Sequence, residues 1–328
     1  MKIFIVTSIT LKDPFKFYKM NRLTIKDFAG LFGTSQNALP NEAVKIIQQC
    51  NWDYQIISGN NRDSIIIDLL TRIESRKLSR VENEDLTRWE TGWGENLDEF
   101  IKSGGNLLSL IPKYIRSGQP LRLNGEFILP QNPNFEYDWY RVFREWFFRT
   151  CLSGYDHIYE FGSGSGFNIA ELSKLFPNAK IHGLDWAKPS VEICERLRTD
   201  CGLNVEGHLF NFFAPDYSIN FPANSVVFTI GALEQTGLKW QPFFDFIQSK
   251  KPKACFHIEP VYEFYENIGL VDYTAKKIHE HRNFWRGFPS ILDEMVNIGK
   301  AKVLKQKRSN FGSLVLEGYS QIFWEPLL

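Results

Sequence analysis

The densest chemistry in this sequence sits in one heptapeptide, Glu160-Phe161-Gly162-Ser163-Gly164-Ser165-Gly166. An expected strand, His157–Phe161, precedes the glycines and a helical pattern over 167–176 follows them. Glycine at such a junction lets the backbone turn tightly and come close to a ligand. The start of the helix adds oriented N–H groups. The spacing is G-x-G-x-G; a dinucleotide G-x-G-x-x-G needs Gly at 167, where Phe stands. Glu160, two positions before the first glycine, is placed to meet a cationic ligand group. The next expected strand, 180–184, leads into Asp185, 23 residues after Gly162, where a carboxylate can take two ribose hydroxyls. The glycines alone also suit an ordinary strand–helix turn, and a NAD-binding domain is a second reading of the loop.

From Asp156 onward apolar runs alternate with helical patterns, as in a parallel α/β sheet. Strands are expected at His157–Phe161, 180–184, 205–210, Ser225–Ile230 and 254–258, with helices at 167–176, 189–199, 242–250 and 287–299. The tail, 301–306 and 313–323, reads as two strands around a turn at 310–312. They should be antiparallel, because a short turn cannot make a parallel crossover.

Residues 1–135 have another texture. Ile66, Leu69, Leu70 and Ile73 recur at helical spacing within 64–78. Thr24 is placed to cap a helix that runs through Phe32 and stops at Gly33, and Asn41 to cap another through Gln49. The two give a faint helix-turn-helix pattern, but a small helical packing layer is the preferred reading. Asn124-Gly125 between Leu121-Arg122-Leu123 and Glu126-Phe127-Ile128-Leu129 signals a hairpin, since both turn positions tolerate positive φ. From Phe135 to Phe148 eight of fourteen residues are aromatic. Trp139, Phe143, Trp146 and Phe147 share one helical face suited to docking on a sheet. Tyr137 and Tyr140 lie off that stripe and are candidates to line a ligand pocket. The expectation is a mainly helical N-terminal domain over 1–135, as substrate cap or partner-docking region, and an α/β domain over 136–328.

The glycine loop, with Glu160 and Asp185 at successive strand ends, resembles that of the class I S-adenosylmethionine-dependent methyltransferases, over about residues 150–328. The resemblance implies a Rossmann-like, mainly parallel seven-stranded sheet whose last two strands, within 301–323, form an antiparallel hairpin. It implies S-adenosyl-L-methionine as cofactor. Glu160, Gly162, Gly164 and Gly166 would hold the methionine moiety and Asp185 the ribose. Trp186 would lie beside the adenine, with Asn211 at its amino group and Phe212 on its ring. Gly231-Ala232-Leu233-Glu234-Gln235 would form a floor for cofactor and substrate. More loosely, the long helical lead-in, the aromatic segment, Ala-Leu-Glu-Gln and His-Ile-Glu-Pro resemble sugar O-methyltransferases of bacterial surface-polysaccharide clusters.

Methyl transfer to a hydroxyl needs alignment and a base. His257-Ile258-Glu259-Pro260 closes the 254–258 strand, and period two puts His257 and Glu259 on one face. His257 is therefore the expected base, oriented by Glu259, with Glu234 a second candidate. A buried structural His–Glu pair and a loop-ordering Glu234 are the plainer alternatives. Downstream, Tyr262, Tyr265, Tyr273, His279, His281, Arg282, Trp285 and Arg286 cluster where the family commonly inserts substrate-recognition segments. Tyr262, His281 and Arg282, with Tyr137 and Tyr140, are the expected substrate contacts. Aromatic and Arg side chains together suit a small polar acceptor with flat or anionic parts, such as a sugar, a nucleotide sugar or a phosphate ester. A solvated basic helix face is the alternative. His279 and His281 would not share a helical face, and no metal is expected.

Other acceptors are set aside. No Asn/Asp-Pro-Pro-Tyr/Phe segment or Pro-Cys nucleophile follows Ser225–Ile230, which removes the patterns of exocyclic-amine and cytosine C5 methylation of nucleic acids. N-methylation of a small amine or peptide stays open, with Glu234 and Glu259 holding the cation, as does an inactive methyltransferase-like binding module.

Composition sets the remaining bounds. The 328 residues carry 38 Lys+Arg against 38 Asp+Glu, and residues 1–135 alone carry 17 against 15. Such balance argues against a sequence-independent grip on nucleic acid, which needs surplus positive charge. The five Cys show no CxxC or framework spacing, which fits a reducing compartment. The opening Met-Lys-Ile-Phe-Ile-Val reads as a first strand instead of a secretory signal, and no apolar run is long enough to span a membrane. A cytoplasmic enzyme is expected, of unspecified oligomeric state.

Overall fold

A capping box opens the first helix, where Thr24 predicts it. In the computed structural model, which describes residues 19–78, 80–81, 86–266 and 268–327, the Asp27 carboxylate accepts from the Thr24 N–H at 2.8 Å. Helix α1 (Ile25–Phe32) ends at Gly33 in the left-handed region, φ 65°. Helix α2 (Asn41–Gln49) starts directly after Pro40, so Asn41 is its first helical residue and not its cap. Helices α3 (Gly59–Glu74) and α4 (Leu86–Lys102) follow. The first six residues lie outside the described residues. Four strands accompany these helices: β1 (Asn21–Arg22), β2 (Asp53–Ile57), β3 (Leu121–Leu123) and β4 (Glu126–Pro130). Only the β3–β4 hairpin is anticipated by its turn, with Asn124 and Gly125 at φ 50° and 77°.

Helix α5 (Phe135–Phe147) runs on through one wider turn to Leu152. Its aromatic residues, except half-buried Tyr137, are buried. Phe32 of α1 stacks on Trp146 at 5.0 Å between centroids. Phe147 meets Phe228, Phe256 and Phe323. The helix carries five charged residues, yet Glu136, Asp138 and Arg144 are buried along with the rings. It fills the seam between the N-terminal helices and the main sheet.

The alternation after Asp156 gives β5 (His157–Phe161), α6 (Phe167–Leu175), β6 (Lys180–Asp185), α7 (Lys188–Thr199), β7 (Val205–Leu209), β8 (Ser225–Ile230), α8 (Gln241–Lys250) and β9 (Ala254–Glu259). After them come α9 (Leu270–Arg282), α10 (Phe288–Asn297), β10 (Ala301–Lys307), β11 (Phe311–Ser313) and β12 (Ser320–Pro326). The order β10-β12-β9-β8-β5-β6-β7 makes a seven-stranded Rossmann-like sheet. Strands β5 to β9 are parallel, and β12 and β10 close it antiparallel. β5 pairs with both β6 and β8, so the strand order reverses there and a crevice opens above the strand ends.

The tail departs from expectation. The turn at 310–312 does not join the closing hairpin. Residues 308–319 leave the main sheet, and β11 pairs with β3 as an edge of a second sheet, β1-β2-β4-β3-β11. One hydrophobic core holds Phe28, Trp52 and Leu121 together with Ile158, Phe228 and Phe323, spanning both sides of position 135. Arg308 ties the excursion down through ion pairs of 2.6 Å to Asp272 and 2.7 Å to Glu317.

Candidate active site

The crevice is a cavity of ≈ 210 Å³ between the ends of β5 and β8, helix α4 and segment 313–319. A smaller recess of ≈ 60 Å³ adjoins it, and Trp89, Trp93, Gly162, Gly231 and Gln235 border both.

Glu160 lines the main cavity and is 2 % exposed. Its Oε1 accepts from Asn168 Nδ2 at 2.7 Å, and Asn168 Oδ1 in turn accepts from the Tyr140 hydroxyl at 2.8 Å. Oε2 has no hydrogen-bond partner. Burial pushes this carboxyl up to about 8, with the Asp185 charge adding to the shift and the Asn168 bond opposing it. A buried carboxylate with an orphaned oxygen is costly by itself, and a cationic ligand group would relieve it.

Asp185 faces the recess, but its oxygens are already engaged. Oδ2 accepts from the Gly164 N–H and Oδ1 from the Ala187 N–H, each at 2.9 Å. Burial raises it to about 6 against these bonds. Each carboxylate oxygen can accept a second bond, so ribose hydroxyls remain within its capacity. Trp186 and Phe212 line the recess beside Phe213. Asn211 does not; its Oδ1 accepts from the Phe213 N–H at 2.8 Å and shapes the turn.

The three loop glycines have protein neighbours that the sequence does not disclose. A Cβ on Gly162 would stand 2.3 Å from Ala232 Cβ, one on Gly164 2.8 Å from the Trp93 ring, and one on Gly166 2.8 Å from Ile193. All three have positive φ. Gly164 thus makes room for the Trp93 ring of helix α4, and Gly166 serves the packing of α7. Gly231, φ 61°, borders both spaces.

The expected base pair does not form. His257 is 1 % exposed, lines neither space, and packs edge-on to Phe243 and Phe288 with Trp324 beside it. Its Nδ1 lies 3.1 Å from the Thr229 hydroxyl, and burial lowers it to about 3. Glu259 does not touch His257. Its carboxylate accepts from the Ala232, Leu233 and Glu234 N–H groups at 3.1, 3.1 and 3.3 Å, anchoring the loop after β8. Burial and the neighbouring Glu234 carboxylate hold Glu259 well above the usual range. Glu234 alone of the three reaches the cavity.

Among the expected substrate contacts, Arg282 lines the cavity. Tyr137 packs along Phe167, Tyr262 donates to Glu280 at 2.9 Å, His281 meets the Leu78 carbonyl at 3.1 Å, and Tyr140 backs Asn168. None of these four borders the cavity. Helix α4 supplies what the sequence reading missed: Trp89 and Trp93, one turn apart and stacked at 5.8 Å, with Arg88 beside them. Tyr114, Arg116, Gln119 and Glu136 complete the far wall. Glu136 is 5 % exposed, accepts from Gln119 at 3.0 Å, and is raised by burial to about 7. Glu136, Glu160 and Glu234 thus all line one space. The available signal was the Trp-x-x-x-Trp spacing on an amphipathic helix.

No protein-family model matches the sequence, and no curated protein matches it. Solved structures do. Human N-acetylserotonin methyltransferase in complex with S-adenosylmethionine is 13 % identical over 81 % of this chain and 68 % of its own, at a TM-score of 0.46. An O-methyltransferase from neocarzinostatin biosynthesis, bound to S-adenosylhomocysteine and 1,4-dihydroxy-2-naphthoic acid, is 14 % identical over 59 % and 58 %, at 0.38. An S-adenosylmethionine-dependent methyltransferase from Aquifex aeolicus is 14 % identical over 52 % and 82 %, at 0.34. All three are methyltransferases. This chain spans little more than half the length of the second.

Proposed function

We propose that this chain is an S-adenosylmethionine-dependent methyltransferase acting on a small polar acceptor, with a sugar-like hydroxyl as the favoured target. The observation that carries the reading is Glu160: a buried carboxylate, one oxygen unpartnered, at the glycine loop of a cavity joined to an aromatic recess. Glu160 would hold the methionine end, Asp185 the ribose, and Trp186 with Phe212 the adenine. The bound cofactor supplies an electrophilic methyl on a sulfonium. The chain supplies alignment, exclusion of water and a proton acceptor.

Glu136 suits the last role better than His257. It lines the cavity, and a carboxyl near 7 is poised to take a proton at neutral pH. The Trp89–Trp93 pair offers a flat apolar face for a sugar ring, while Gln119, Glu136 and Arg116 offer polar partners for its hydroxyls. The same carboxyls, Glu136 and Glu234, support a second reading in which the acceptor is an amine held as a cation.

The test is calorimetric titration with S-adenosylhomocysteine, followed by labelled methyl transfer from the cofactor to a panel of sugars, phenols and amines. Binding in the micromolar range, near −8 kcal/mol, that Glu160→Gln weakens is the expected result. No binding would leave a methyltransferase-like fold without the activity. A hydroxyl acceptor should react faster as pH rises through about 7, and Glu136→Gln should abolish that rise. An amine acceptor would follow the amine's own ionisation instead.

A further inference from the structure

Three imidazoles lie in a row across β5, β6 and β7, away from the cavity. His182 pairs in register with Glu206, and His208 lies two residues further along β7, so His182, Glu206 and His208 share one face of neighbouring strands. His182 Nδ1 is 3.2 Å from His208 Nε2 and 3.9 Å from Glu206 Oε2, and the three donor atoms all fall within 4.8 Å of one another. Ligands of one tetrahedral zinc ion, each bound at roughly 2.0–2.2 Å, stand about 3.3–3.5 Å apart. We propose that His182, Glu206 and His208 form a binding site for one borderline divalent transition-metal ion of the zinc class, with a fourth position open to solvent.

The surroundings of His182 are those of a held ligand. With Nδ1 on the metal, its proton sits on Nε2, which is 3.1 Å from His157 Nδ1 and donates to it. A metal-ligating histidine ordinarily gives its other N–H to a carboxylate, a backbone carbonyl or water, which fixes tautomer and ring direction; here the His157 nitrogen takes that place. The Tyr159 ring stacks on the imidazole at 4.1 Å and 2°, locking the ring plane. Lys180 stands 3.5 Å from Glu206 and competes for that carboxylate. Its ammonium must swing away on binding, which places the affinity in the micromolar range and not at the far tighter level of closed structural sites. Imidazole and carboxylate donors suit zinc, nickel and copper and disfavour magnesium and calcium.

The test uses the full chain without a histidine tag, stripped with chelator and dialysed. Cobalt(II) should give the intense visible bands of a low-coordinate ion at one equivalent, and zinc should displace it. Glu206→Gln, at an exposed position where the fold is kept, and His208→Ala should each weaken zinc binding at least tenfold by calorimetry. His157→Ala, a positioning residue, should weaken it by about 10–100-fold while leaving the stoichiometry at one. Absence of one-to-one binding overturns the proposal. So does binding of equal strength in Glu206→Gln and His208→Ala, which would place the ion elsewhere.

Discussion

Glu160 shows how one buried carboxyl makes stability depend on pH. Its folded value, near 8, lies above the ordinary carboxylate range. Between those values the folded chain holds a proton that the unfolded chain has lost, so stability falls as pH rises. Glu136, near 7, acts in the same direction. His182 and His257, held near 3, act oppositely, but only below the ordinary histidine range. From pH 6.5 to 8 the carboxyls therefore dominate. Ligand-free protein should lose about 2 kcal/mol across that window through Glu160 alone, and Glu160→Gln should flatten the loss in urea titrations at the two pH values. The same substitution should weaken S-adenosylhomocysteine by about 1.5–3 kcal/mol, because a charge-assisted bond goes. His257→Ala should behave differently. It opens a hole among Phe243, Phe288 and Trp324 and should cost about 2–4 kcal/mol, with no change in the shape of the pH–rate profile. A shifted profile would return His257 to the chemistry. The sequence placed His257 and Glu259 on one face, and the fold does so, but that face carries an aromatic core at one residue and a loop anchor at the other.

Among the elements, helix α4 changes the meaning of the glycine loop. Read from sequence, Gly164 is a place for a ligand to approach. In the fold, the Trp93 ring would lie 2.8 Å from any Cβ there, and the backbone is left-handed at φ 54°. Gly164→Val should thus strain the loop and push α4 outward, lowering Tm and cofactor affinity together. Adding Trp93→Ala should restore part of the stability but not the affinity, since the φ strain and the side chain facing the ligand remain. A double-mutant cycle on Tm measures the coupling, which should reach about 0.5–3 kcal/mol for residues in contact; additive effects would show that α4 does not bear on the loop. The strands and helices of the main sheet were legible because each carries its own period and its own bounding turns. β2 and β11 were not: five and three residues, they give too short a pattern to stand out from their surroundings. The aromatic helix α5 was read as core correctly for its stripe, while Tyr140 serves the site only through Asn168.

At the scale of the molecule, the tail excursion fastens the two sheets together. Arg308 is its clasp, because Asp272 and Glu317 are 8 % and 1 % exposed and have this guanidinium between them. Arg308→Ala leaves two buried carboxylates without it and should cost about 3–5 kcal/mol in chemical denaturation. A cost near that of a surface ion pair would show the excursion to be loosely held. The sequence by itself determined the parallel alternation, the loop between β5 and α6, Asp185 at the end of β6 and the hairpin at Asn124-Gly125, since these are written in local period and turn chemistry. Tertiary structure alone decided which side chains meet. Parallel strands carry residues some 25 positions apart into contact, as with His157, His182 and His208. Helix packing brings Trp89 and Trp93 of one half over the glycines of the other. Such meetings depend on register and on the angle at which elements dock, which many distant contacts set together and no local stretch of sequence records.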